Sequence, residues 1–184
     1  EQSGSDSAYR LLAEAAKAQG DVAGERAMLE ALAEVDGTAV DAYLRLMELG
    51  EGSGDWAAVT RNAERFLAVN PLVAPPYRRL GQASAELGAL AVAIDAYRVL
   101  LELNPNDPAD VHFHLARWLH RSGDDEGARR HALRALEDAP RFREALNLLQ
   151  RVVRRIDAAR IEAEAAAAAR PPPAVPPPPA ALSL

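Results

Sequence analysis

The chain repeats itself every 34 residues, and that period constrains its fold more than any other feature. Gly20, Gly54, Gly88 and Gly123 are spaced 34, 34 and 35 residues apart, and Asp21, Asp55 and Asp124 follow three of them. Leu12, Leu46, Leu80 and Leu115 keep the same intervals, with Tyr9, Tyr43, Tyr77 and His112 three residues ahead of them. Gly37, Pro71, Pro105 and Pro140 close the units, and Pro108 is the one extra residue. A unit this short cannot bury its apolar face alone, so neighbouring units must stack to make a continuous core.

Apolar spacing inside a unit predicts two antiparallel helices. Tyr77, Leu80, Gly81 and Ser84 share one face of the first helix at i, i+3, i+4, i+7 spacing. Gly88 stops that helix by taking the left-handed conformation that side-chain-bearing residues avoid. Ala93, Tyr97, Leu100 and Leu101 make the stripe of the second helix. Pro105 ends it, because proline lacks the N–H and disfavours helix at the residue before it. Small residues at Gly81 and Ala93 allow close approach of the axes, with Tyr97 filling the space between neighbouring pairs.

This helix-turn-helix unit resembles the tetratricopeptide repeat. The third unit carries the resemblance best, in Tyr77, Leu80-Gly81, Gly88, Ala93, Tyr97 and Pro105, and the fourth follows with Leu115-Ala116, Gly123-Asp124, Ala128, Ala132, Ala135 and Pro140. The second departs at Met47, where a small residue is usual, and exchanges the usual aromatic and alanine at Ala63 and Phe66. The first has Glu25 at a normally small position and Gly37 in place of the closing proline. The resemblance implies an all-α, right-handed α-solenoid of antiparallel helix pairs. Its expected divisions are an N-terminal extension at 1–5 and repeats at 6–39, 40–73, 74–108 and 109–142. A capping and spacer helix at 143–169 and a proline-rich tail at 170–184 follow. In the last helix Leu146, Leu149, Val153 and Ile156 form a stripe expected to cover the end of the stack. The alanines from Ala165 to Ala169 have high helix propensity but little to bury, which suits a projecting spacer. Pro171 to Pro179 favour an extended polyproline II linker.

In the resembled family the stacked first helices line a concave groove that binds a segment of another protein. The resemblance implies Arg10 and Glu14, Leu44 and Glu48, Arg78 and Gln82, and Phe113, Arg117 and His120 as the groove residues of successive units. Such a groove is acidic at one end and basic at the other, and can orient a partner of mixed charge. Family members that clamp the terminal carboxylate of heat-shock chaperones use Lys and Asn here. Arg10, Glu14, Arg45, Pro75 and Arg79 do not reproduce that set.

Motifs for chemistry are sparse. Cys 0 removes thiolate metal sites and a cysteine nucleophile. His112, His114, His120 and His131 all fall in the fourth unit, but without HExxH spacing or a tetrahedral ligand set, so no metal and no cofactor are expected. Gly52-Ser53-Gly54 reads as a loop between helices rather than a phosphate cradle, and Trp56 and Trp118 as inter-helix fillers. A net charge of -6 opposes general nucleic-acid binding, and the arginines from Arg129 to Arg155 are interrupted by Glu137, Asp138 and Glu144. Residues 1–73 hold 6 basic and 13 acidic side chains, whereas 74–184 hold 15 and 14. No run of 18 apolar residues spans a membrane. Near-exclusive use of Arg over Lys suggests a bacterial coding sequence, and Glu1 at the start suggests a processed product or part of a longer chain.

The sequence therefore points to a non-enzymatic scaffold or adaptor that recruits a partner protein through its groove. A second partner through the proline-rich tail is a further expectation. Alternatives are a constitutive subunit of one large assembly, or the repeat domain of a longer secreted bacterial hydrolase.

Overall fold

A computed structural model describes residues 3–169, with side chains from residue 8 onward. The described residues form nine helices and no strand: α1 (Ser3–Gln19), α2 (Val22–Val35), α3 (Val40–Ser53), α4 (Trp56–Val69), α5 (Ala74–Glu86), α6 (Leu90–Glu102), α7 (Pro108–Ser122), α8 (Asp125–Asp138) and α9 (Arg143–Ala168). Each helix packs on the one before and the one after, and α7 also touches α9. This is an all-α solenoid of helix pairs.

Local chemistry sets the helix ends. Gly20, Gly54, Gly88 and Gly123, all at positive φ, sit between the two helices of each pair. Beyond three of them an aspartate caps the second helix: Asp21 accepts from Gly24 N at 2.9 Å, Asp55 from Ala58 N at 3.0 Å and Asp124 from Gly127 N at 2.8 Å. The second helix of the third pair ends at Glu102, before Pro105, and Asn104 takes the left-handed turn at φ 52. Pro108 opens α7 just after the Asp107 cap, so the extra residue lengthens this helix.

The tyrosine column ties one unit to the next. Tyr43 donates to Gly37 O at 3.2 Å and Tyr77 to Pro71 O at 3.0 Å, so each hydroxyl holds the residue that closes the preceding unit. Two apolar clusters make the core, one centred on α2 to α4 and one on α6 to α9, and Tyr77 packs against both. A Cβ placed on Gly81 would overlap the Tyr97 ring, which is wholly buried. One unit earlier the same two columns hold Met47 and Ala63, both wholly buried. The irregular second unit thus exchanges large and small across one contact and keeps the volume filled.

Three expectations need correction. Gly52 and Ser53 are the last turn of α3 rather than a loop, and Ser53 Oγ donates to Leu49 O at 2.9 Å. The buried face of α9 is Ala145, Leu148 and Val152, with Leu149 and Ile156 partly covered. Leu146 and Val153 lie outside it, 46% and 37% exposed, because the neighbouring helices meet α9 about one residue around from the sequence stripe. Helix α1 begins at Ser3, inside the stretch read as an extension. The proline-rich tail at 170–184, and with it the polyproline linker, lies outside the described residues.

Candidate functional site

The first helices of the pairs, α1, α3, α5 and α7, bring their polar columns side by side, and most of the charges there are already paired across helices. Arg10 meets Asp41 at 3.5 Å. Arg45 reaches back to Glu25 at 2.6 Å and sideways to Glu48 at 3.0 Å. Arg79 approaches Glu48 at 3.7 Å and Glu51 at 3.5 Å, and also donates to Leu44 O at 3.2 Å. Arg78 binds Asp110, whose other oxygen lies 3.4 Å from His114 Nε2. The ladder of pairs links α1 to α3, α3 to α5 and α5 to α7 along this face.

Burial sharpens two of these pairs. Glu25 is 3% exposed, and its hydrogen bonds from Arg45 hold its carboxyl below the usual carboxylate range, while Arg45 is pushed up in return. Glu25 at its normally small position is thus an ionic staple between the first two units, which sequence reasoning missed because its partner is 20 residues away. Asp110 is likewise held low, first by the hydrogen bond from His114 and then by Arg78.

Between the helices the face opens into hollows. Arg10 and Glu14 line one of about 210 Å³ beside Glu25 and Arg45. A second, about 410 Å³, lies over Pro75, Arg78, Arg79 and Gln82. A third, about 370 Å³, is walled by Glu51, Trp56, Gln82, Glu86, His114 and Arg117. The second and third share Glu51 and Gln82, so they form one trough running from α3 across α5 to α7. A wider hollow of about 550 Å³ opens at the junction of the last two units, where Asp107 and Asp110 face Pro140 and Phe142.

Among the expected groove residues Glu14 and Arg117 line hollows without an ion pair to another described residue, and Gln82 lines two of them with its amide beside the Tyr97 phenol. Arg10, Glu48 and Arg78 are held in the ladder, Leu44 is half-buried, and Phe113 packs on Phe142 with ring centroids 4.9 Å apart. His120 stands apart: at the end of α7 its Nδ1 bonds Asp125 at 2.6 Å, and Arg155 of α9 binds the other oxygen of that carboxylate. His114, rather than His120, is the histidine of the trough, and Trp56 is both a core filler and a wall of it.

Beneath the trough lies an aromatic knot. Tyr97 meets Trp118 edge-on at 4.3 Å and His114 at 5.7 Å. The Tyr97 hydroxyl, Trp118 Nε1, Ser84 Oγ and His114 Nδ1 are buried without a hydrogen-bond partner among the described residues, and burial pushes the Tyr97 phenol up to about 12. On the opposite flank of α7, His112 and His131 stack with their Nδ1 atoms 3.0 Å apart, and burial lowers both imidazoles, His131 to about 4. No group of three candidate metal ligands occurs among the described residues.

Solved structures with this architecture decide the fold. The chain is similar to YrrB, described as a TPR protein with an unusual peptide-binding site, at 17% identity over 81% of this chain and 76% of that one, with a TM-score of 0.69. The fold is the tetratricopeptide-repeat fold. MamA from Desulfovibrio magneticus RS-1 matches at 15% identity over 89% of this chain and 92% of its own, with a TM-score of 0.69. The first TPR of Spaghetti (RPAP3), solved bound to an HSP90 peptide, matches at 16% identity over 66% and 96%, with a TM-score of 0.60. No family model and no curated relative matches the chain. No described helix is long and apolar enough to cross a membrane.

Proposed function

We propose that this protein is a non-enzymatic scaffold or adaptor that holds an extended segment of a partner protein along the face of α1, α3, α5 and α7. The observation that carries the reading is the trough over α5, in which Arg117 meets no carboxylate while the surrounding arginines are held in ion pairs. Fixed walls with a few uncommitted polar groups reduce the ordering cost of binding and leave groups to confer selectivity. Similar folds that hold peptides, such as the RPAP3 domain, support this assignment.

The test is affinity capture with the intact chain against Glu14→Ala/Gln82→Ala/Arg117→Ala, chosen because all three line the hollows and none belongs to the ion-pair ladder. Captured proteins should be lost by the variant while its circular dichroism is unchanged. Undiminished capture would move the interface off the groove.

A second reading, as a constitutive subunit of one assembly, draws on α9. Its apolar residues Leu146, Val153 and Ile161 are exposed, and every side chain from Asp157 to Ala168 faces solvent. A helix with that much uncovered surface suits an interface between proteins.

A further inference from the structure

We infer that the hollow at Arg117 is a subsite for one acidic side chain within the partner segment, flanked by a position that rejects a second acid. The inference rests on the groove reading and names what the groove selects. Arg10, Arg45, Arg78 and Arg79 each meet a carboxylate of a neighbouring helix. Arg117, half-buried in the same face, meets none among the described residues. A half-buried guanidinium that makes no ion pair, although Glu51 and Glu86 line the same hollow, is an uncommitted donor on this face, and its planar fork matches a carboxylate.

The rest of the hollow decides what brings that carboxylate. Gln82 lines the hollow beside Arg117, and the rings of Trp56 and His114 supply walls for the methylenes of the entering side chain. His114 turns its Nε2 toward Asp110 rather than toward the hollow's free space, and its Nδ1 is buried. The trough continues past Gln82 toward Pro75 and Asp107, so the backbone of the partner passes through instead of ending here. An internal Glu or Asp therefore fits better than a terminal carboxylate. Of the two acids in the hollow, Glu51 is answered by Arg79 at 3.5 Å, but Glu86 is exposed and has no ion pair among the described residues. Glu86 repels a second acid and accepts a base, so an acidic run is disfavoured where a single acid beside a basic residue is favoured.

Selection of random peptides displayed with their C-termini fused, so that no terminal carboxylate is free, tests this on the full chain. Peptides enriched on the unaltered protein should share one Asp or Glu position. That preference should vanish with Arg117→Gln, turn to Lys or Arg with Arg117→Glu, and broaden to acidic runs with Glu86→Gln. For a synthetic peptide from the selection, replacing the acid by its amide should weaken binding about tenfold or more on the unaltered protein, and less than about twofold on Arg117→Gln. An acid preference that survives Arg117→Gln, or enriched peptides without a shared acid, would overturn the subsite and leave groove binding intact. If folded protein enriches no peptide at all, groove binding and the subsite fall together.

Discussion

Single contacts explain why this chain can depart from its own repeat without losing the fold. In the third unit Gly81 leaves room for the Tyr97 ring, and in the second the same columns hold Met47 and Ala63. If these are alternative solutions to one packing problem, they should be transferable. Gly81→Met alone drives a long side chain into a ring that has no room to move, at about 1–3 kcal/mol. Tyr97→Ala alone leaves a cavity, at about 3–5 kcal/mol. The double variant copies the second unit and should cost less than Tyr97→Ala, a coupling that urea denaturation of the four proteins measures directly. Additive costs would mean that the two columns do not share one space. In the sequence Met47 is only a departure from its column, because a repeat pattern records what stands in each column and not which columns touch.

At the scale of the helix, punctuation was legible and facing was not. The four glycines at positive φ and the aspartates after them are signals carried by one or two adjacent residues, so their role follows from local chemistry. Which flank of α9 is buried depends on the angle at which α7 and α8 meet it, and its two apolar sets, Leu146 with Val153 and Ala145 with Val152, sit one residue apart. His114 and Trp56 escaped notice as trough residues for the same reason, since their neighbours there come from other units. The capping column also shows one gap. Ala89 starts α6 with φ -78 and ψ 62, close to the φ -81 and ψ 73 of Asp55, yet has no side chain to cap with. Ala89→Asp should accept from the Val92 N–H and stabilise the protein by about 1 kcal/mol, and Asp55→Ala should cost a similar amount. Thermal unfolding followed by circular dichroism would show the two midpoints moving in opposite directions. A fall with Ala89→Asp would mean that the third pair cannot use the cap its neighbours use.

At the scale of the molecule the groove and the end of the stack are separate surfaces, and the two functional readings divide between them. Solenoid stability is a sum of unit and neighbour terms, so a change at the end helix reaches the groove only by loosening the last pair. Val152 and Val153 make that distinction testable with adjacent residues. Val152 is wholly buried on the packed face of α9, and Val152→Asp would place an unpaired charge in the second core cluster, costing about 3–5 kcal/mol and uncoupling the helix. Val153 is 37% exposed on the bare flank, and Val153→Asp should change stability by no more than about 0.5 kcal/mol. Assembly can then be read apart from folding, with urea denaturation for stability and sedimentation for association. If α9 docks on another protein or a second copy, Val153→Asp should release it while peptide selection at Arg117 is unchanged. If the groove alone is the interface, Val153→Asp should leave both association and selection as they were, and the exposed flank is then only the undressed end of a repeat.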